Sequence, residues 1–71
     1  MKTVNLEKRG DYYDAWHQDA RDIQAALGDI VLLKCGGADM IGIPAHGLEQ
    51  HIADLNGKRI SVKINPKIEW T

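Results

Sequence analysis

Three histidines and a single cysteine are the side chains of this 71-residue sequence best suited to chemistry. His46 and His51 stand five positions apart, so on a helix they diverge, whereas helical metal-binding pairs use separations of three or four. His17 is remote from both, and no CxxC or HxxxH pattern accompanies them. They read as ordinary surface or boundary residues, and no metal is expected. Cys35, as a nucleophile, would need a neighbouring base or cation to make its thiolate. Its neighbours in the register derived below are Gly36 and Ala38, so it reads as a small packed hydrophobe. Dinucleotide, P-loop, zinc and hydrolase motifs are absent. The chain reads as non-enzymatic and without a cofactor.

Binding is left. Net charge is −1 at pH 7, which favours neither acidic nor basic partners, but the charge is unevenly placed. Asp11, Asp14, Asp19, Asp22 and Asp29 precede a C-terminal stretch with Lys58, Arg59, Lys63 and Lys67. Arg59, Lys63 and Lys67 are candidate phosphate contacts, which gives a nucleic-acid-associated regulator as the alternative function. Charge on an edge strand also deters aggregation, which is the plainer reading of the same residues.

The elements that must position these residues are organised around Gly28 to Pro44. Gly36-Gly37 between two apolar runs is a hairpin signal, because a tight primed turn needs positive φ at its central residues. That register sets Cys35 against Ala38, Lys34 against Asp39 and Leu33 against Met40. It continues with Leu32 against Ile41 and Ile30 against Ile43. Lys34 meeting Asp39 is a favourable cross-strand pair. One face then carries Ile30, Leu32, Ile41 and Ile43; the other carries Val31, Leu33, Cys35, Ala38, Met40 and Gly42.

Before the hairpin, Thr3 to Leu6 alternates weakly as a first strand. Asp11 is a candidate helix cap, and Tyr12, Trp16, Ala20, Ile23 and Leu27 recur at helical spacings. The spacing predicts a helix over 12–27, ended by Gly28 in the left-handed region. The hairpin is predicted over 29–43. Ala45, Leu48, Ile52 and Leu55 predict a second helix over 48–55, and Ile60, Val62 and Ile64 alternate in a strand over 58–65. Ile68 to Trp70 form a tail that could pack back.

Strand, helix, strand, strand, helix, strand is the split βαβ, ferredoxin-like order, an antiparallel sheet with both helices on one face. Residues 1–71 are expected to form one α+β domain. A sheet of this kind binds RNA when aromatic residues stand on its first and third strands. Thr3 to Leu6 and Asp39 to Ile43 carry none, so nucleic acid is disfavoured.

The helix-free face is apolar, and a soluble chain rarely leaves such a surface bare. Val31, Leu33 and Met40, with Tyr13 standing off the helical stripe, are the candidate partner-binding residues. The expected function is a non-catalytic protein-binding module, either a homodimer or a binder of another protein. Small chains of this kind are common among phage and mobile-element accessory proteins and inhibitors, and that class is the expectation. A small-ligand sensor at a dimer seam is a further alternative. One lone cysteine, no apolar leader and no membrane-length apolar run place the chain in the cytoplasm.

Overall fold

The computed structural model describes residues 2–65. Lys67 and the tail Ile68 to Trp70 lie outside the described residues. The order is β1 (Lys2–Arg9), β2 (Tyr12–Trp16), α1 (His17–Leu27), β3 (Leu33–Cys35) and β4 (Ala38–Pro44). A 3₁₀ turn (Ala45–Gly47), α2 (Leu48–Gly57) and β5 (Ile60–Asn65) follow. The fold is small α+β, a split βαβ arrangement whose five strands lie in the order β3-β4-β2-β1-β5.

The unexpected element is β2. Residues 12–16 are strand, and the helix predicted over 12–27 begins only at His17. Tyr12 and Trp16 are four apart, a spacing that keeps one face in a helix and equally in a strand, so periodicity alone did not separate the two. Asp11 caps nothing; with Gly10 it forms the two-residue turn of a β1–β2 hairpin in which Arg9 faces Tyr12. Gly10 has φ +60°, as the first central residue of a type II′ turn requires. Strand passes to helix with no loop, and the whole change of direction falls on His17 at φ +56°. A non-glycine residue held there stores on the order of 1 kcal/mol of strain.

The additional strand also fixes the sheet's polarity. β4 and β5 are joined through α2, and the antiparallel β1–β2 hairpin lies between them. β5 therefore meets β1 in parallel, from Lys2 against Ile60 to Glu7 against Asn65. The sheet is mixed, where an antiparallel one was expected.

The Gly-Gly hairpin has the derived register: Leu33 faces Met40, Lys34 faces Asp39 and Cys35 faces Ala38. Gly36 and Gly37 are both in the left-handed region, at φ +59° and +86°. The first strand is shorter than predicted. Ile30 and Leu32 leave the ladder to pack against the core, and Ile41 and Ile43 pair with Ala15 and Tyr13 of β2 in their place. Gly28 ends α1 with φ +76°, its N–H donating to Gln24 O at 2.9 Å, as its position in the sequence implies.

Both helices pack on one side of the sheet, α1 against β4 and α2 against β5, and they touch each other. Between them and the sheet lie Val4, Leu6, Ala15, Ala20, Ile23, Ile41, Ile43, Leu55 and Ile60. Burial of each large aliphatic member contributes about 1.5–3 kcal/mol before entropy is counted. Asp39 sits at the rim of this layer, with Arg21 Nη1 2.5 Å from its Oδ2 and Lys34 Nζ 2.5 Å from its Oδ1. Those hydrogen bonds, Lys34's first, hold its carboxyl below the usual carboxylate range. No helix among the described residues is long and apolar enough to cross a membrane.

Candidate functional site

Alternation along a strand sends neighbouring side chains to opposite faces of the sheet. Tyr13 and Ala15 join the helix side, so Tyr12, Asp14 and Trp16 occupy the side that neither helix of the described residues covers. Pairing with β4 sets Tyr12 beside Pro44, Asp14 beside Gly42 and Trp16 beside Met40. Across the hairpin, Arg9 stands opposite Tyr12.

These residues form one unit. Asp14 is only 3% exposed although no helix covers it. A carboxylate so enclosed needs a charged partner. Arg9 supplies it, Nε donating to Oδ2 at 2.5 Å and Nη2 donating to Oδ1 at 3.2 Å. The Asp14 hydrogen bond raises the Arg9 pKa above its ordinary value, so the guanidinium is charged at every relevant pH. Its Cζ lies 5.5 Å from the Tyr12 ring centroid, within cation–π range. Tyr12 itself remains 44% exposed, an aromatic platform open to a ligand.

Gly42 makes room for this arrangement. A β-carbon there would lie 3.5 Å from Asp14 Oδ1 and 3.6 Å from Tyr12 Cδ1, so a methyl would fill the space completely. Beside the unit runs a cleft of about 450 Å³, between Arg9 and Tyr12 on one wall and Ile30, Val31 and Leu33 on the other, with Met40 below.

The residues singled out from the sequence are scattered. Val31 and Leu33, 71% and 50% exposed, do line the open side. Met40 is enclosed at 7% and forms floor, so it cannot be the centre of an exposed patch. Tyr13 turns to the helices and packs against the core; the exposed tyrosine is its neighbour. Lys63 is exposed on β5, on the side opposite buried Ile60. Arg59 sits at the far end of the molecule, in a left-handed turn before β5, beside Lys2 and Lys58. Lys67 lies outside the described residues. Cys35 is an exposed free thiol on β3, an edge strand of the sheet. Its reading as a packed hydrophobe fails for that reason. His51 Nδ1 lies 2.7 Å from the carbonyl of Gly47. Among the described residues no three His, Cys, Asp or Glu side chains come together as metal ligands.

Arg9, Tyr12, Asp14 and Gly42 escaped sequence reasoning because β2 was taken for helix. The signal was present: Gly10-Asp11 is a two-residue hairpin loop between two runs able to alternate.

Among the described residues, one face of this mixed sheet carries no helix and presents an aromatic ring beside a paired guanidinium and carboxylate. Residues 1–69 match the family model of MutS domain I, and the chain belongs to that family. It is 33% identical over 64 residues to the DNA mismatch repair protein MutS of Chlorobium limicola, covering 90% of this chain and 7% of that protein. It is 38% identical over 66 residues to the protein of the same name from Thermosipho melanesiensis, covering 93% of this chain and 8% of that one. For the Treponema pallidum protein the figures are 36% over 55 residues, 75% and 6%. The chain thus spans less than a tenth of the length of these relatives. Family membership overturns the expectation of a phage or mobile-element accessory protein or inhibitor acting as a protein-binding module. That expectation rested on the lack of a motif and on an apolar face, and the bare face proves to be built around a charged pair.

Proposed function

We propose that this chain is a DNA-binding module of the mismatch-repair type, and that the bare sheet face is the surface that meets DNA. The observation that carries the reading is Tyr12, an exposed ring on a central strand beside Arg9. The relatives are named as DNA mismatch repair proteins, which supports the same assignment. Aromatic stacking on a base contributes about 1–3 kcal/mol and tolerates any base. Arg9 and Lys63 put positive charge on the same side, suited to phosphate. Pairing with Arg9 offsets the Asp14 charge, which would otherwise repel the backbone. The argument against base stacking, that the first and third strands lack aromatics, is answered by β2, which carries Tyr12 and Trp16 on this face.

The role is binding rather than catalysis. Fluorescence anisotropy with labelled duplexes, perfect or carrying one mispair, tests it across a range of salt. Binding is expected to favour the mispaired duplex, to weaken steeply as salt rises because counterions are released, and to be lost with Tyr12→Ala. Salt-insensitive binding, or none, would overturn the reading. Self-association goes with it as a partner reading, favoured by exposed Val31 and Leu33 at the β3 edge; sedimentation at tens of micromolar, beside Leu33→Asp, tests that.

A further inference from the structure

Positive charge gathers at one end of the molecule, where α1 and α2 both finish. Lys2 at the start of β1, with Lys58 and Arg59 between α2 and β5, lines a cleft of about 440 Å³ floored by Ala25, Ala26 and Ile60. Asp22 is the one acid among its lining residues, and both of its oxygens are taken. Oδ1 accepts from Gln18 Nε2 at 2.9 Å, and Oδ2 lies 3.1 Å from Lys2 Nζ. Lys2 is thereby compensated. Lys58 and Arg59 are exposed, and neither side chain has an ion pair or hydrogen bond among the described residues. Asp54, which shares the neighbouring groove with Lys58, accepts from Gln50 at 3.0 Å instead. Two uncompensated cations therefore line one concave surface of a chain whose net charge is −1.

Helix C-termini attract cations, which is the plainer reason to find lysine and arginine here. The main chain weakens that reason. Lys58 N–H donates to Leu55 O at 2.9 Å and Arg59 N–H donates to Asn56 O at 3.0 Å, so these carbonyls of α2 are already capped. Arg59 also holds φ +64°, a conformation ordinarily given to glycine or asparagine and, for other residues, concentrated at ligand sites. The arginine puts charge where local structure asks for none. We propose that the cleft docks an acidic segment of a partner protein, an Asp or Glu engaging Arg59 and Lys58 while an adjacent apolar side chain rests on Ala25, Ala26 and Ile60. Arg59 offers a carboxylate a planar pair of donors, and Lys58 adds a point charge. The apolar floor selects a peptide over a nucleic-acid backbone, which repeats its charge at every nucleotide and would run against the fixed carboxylate of Asp22. The cleft shares no residue with the one beside Val31 and Leu33, so this inference does not depend on the DNA reading.

The test is a set of amide NMR titrations of the full chain with four probes: a short blocked peptide alternating leucine and glutamate, its glutamine counterpart, inorganic phosphate, and a single-stranded DNA oligonucleotide. The glutamate peptide is expected to shift the amides of Ala25, Ala26, Lys58 and Arg59 in a saturable way, at concentrations where the glutamine peptide shifts none. Lys58→Gln/Arg59→Gln should weaken that binding about tenfold or more, as loss of a charge-assisted hydrogen bond implies. Arg59→Gly separates binding from structure: it relieves the left-handed backbone, so it should melt no lower than wild type and still bind the peptide more weakly. Peptide binding unchanged in these variants, or shifts that fall elsewhere, overturns the proposal. So does phosphate or the oligonucleotide shifting the same amides as strongly as the glutamate peptide, since the cleft would then be a phosphate site. Loss of DNA affinity in the double variant with its fold intact would assign the two cations to nucleic acid and overturn it as well.

Discussion

Asp14 and Gly42 face each other across the β2–β4 pair, and the missing side chain of one is filled by the other's carboxylate and by the Tyr12 ring. The glycine is in ordinary extended backbone, so its value here is space. Gly42→Ala is expected to keep DNA affinity within a few-fold, because a methyl just reaches contact distance. Gly42→Leu should displace Tyr12 and Asp14 and reduce affinity at least tenfold with an unchanged circular dichroism spectrum. Retained affinity in the leucine variant would show that the ring and carboxylate do not need this seat.

The two adjacent tyrosines should separate binding from stability. Tyr12→Ala is expected to lose about 1–3 kcal/mol of DNA affinity, the range for one stacked base, with little change in urea midpoint. Tyr13→Ala should do the reverse, lowering the midpoint while the folded fraction binds normally. Denaturation and anisotropy on the same two variants check both statements.

Acid should weaken the fold through Asp39. Its folded carboxyl is held below the ordinary value by Lys34 and Arg21, so the contribution is fully present above about pH 4. It is lost as pH falls further through the folded value. Asp22 adds in the same direction, lowered first by the Gln18 hydrogen bond and then by Lys2. Asp39→Asn should flatten the acid limb of the stability profile, below about pH 4, measured by urea titration at stepped pH. An unchanged profile would mean the pair does not contribute.

Leu6 and Ile41 are both fully buried in the core cluster, on β1 and β4 of the same sheet. Truncating either to alanine is expected to cost about 2–5 kcal/mol. In a chain this small that approaches the whole of its stability, so thermal melts of either variant should show a partly unfolded protein at 37 °C.

Cys35 should react with a maleimide as fast in the native protein as in urea, since it is exposed on an edge strand. Slow native labelling, released by denaturant, would restore the packed reading.

What the sequence made legible was local and redundant. The Gly36-Gly37 register, the Lys34–Asp39 pair, the Gly28 cap and the last strand each had two signals that agreed, one from residue type and one from spacing. β2 had conflicting ones: Tyr12 to Leu27 spacing fitted a helix, and the Gly10-Asp11 turn fitted a hairpin. A single left-handed residue, His17, lets both hold in succession, and nothing in the identity of a histidine announces that. The site was lost with the strand, because taking residues 12–16 as helix placed Tyr12 and Trp16 in the core and sent Tyr13 outward. Arg9 meeting Asp14 is likewise a hairpin contact, invisible until the turn between them is read.

The parallel pairing of β1 with β5 also has a consequence in time. During synthesis β1 is made first, and its outer neighbour is the last strand described. Until β5 leaves the ribosome, a strand destined for the interior of the sheet carries an open row of backbone donors and acceptors along the edge that β5 will pair. Such edges recruit other chains. Non-local closure of this kind is also slow to form. The nascent module is therefore at its most adhesive immediately before it is complete, and a chain stopped ahead of Ile60 should be recovered in aggregates and not as a soluble fragment.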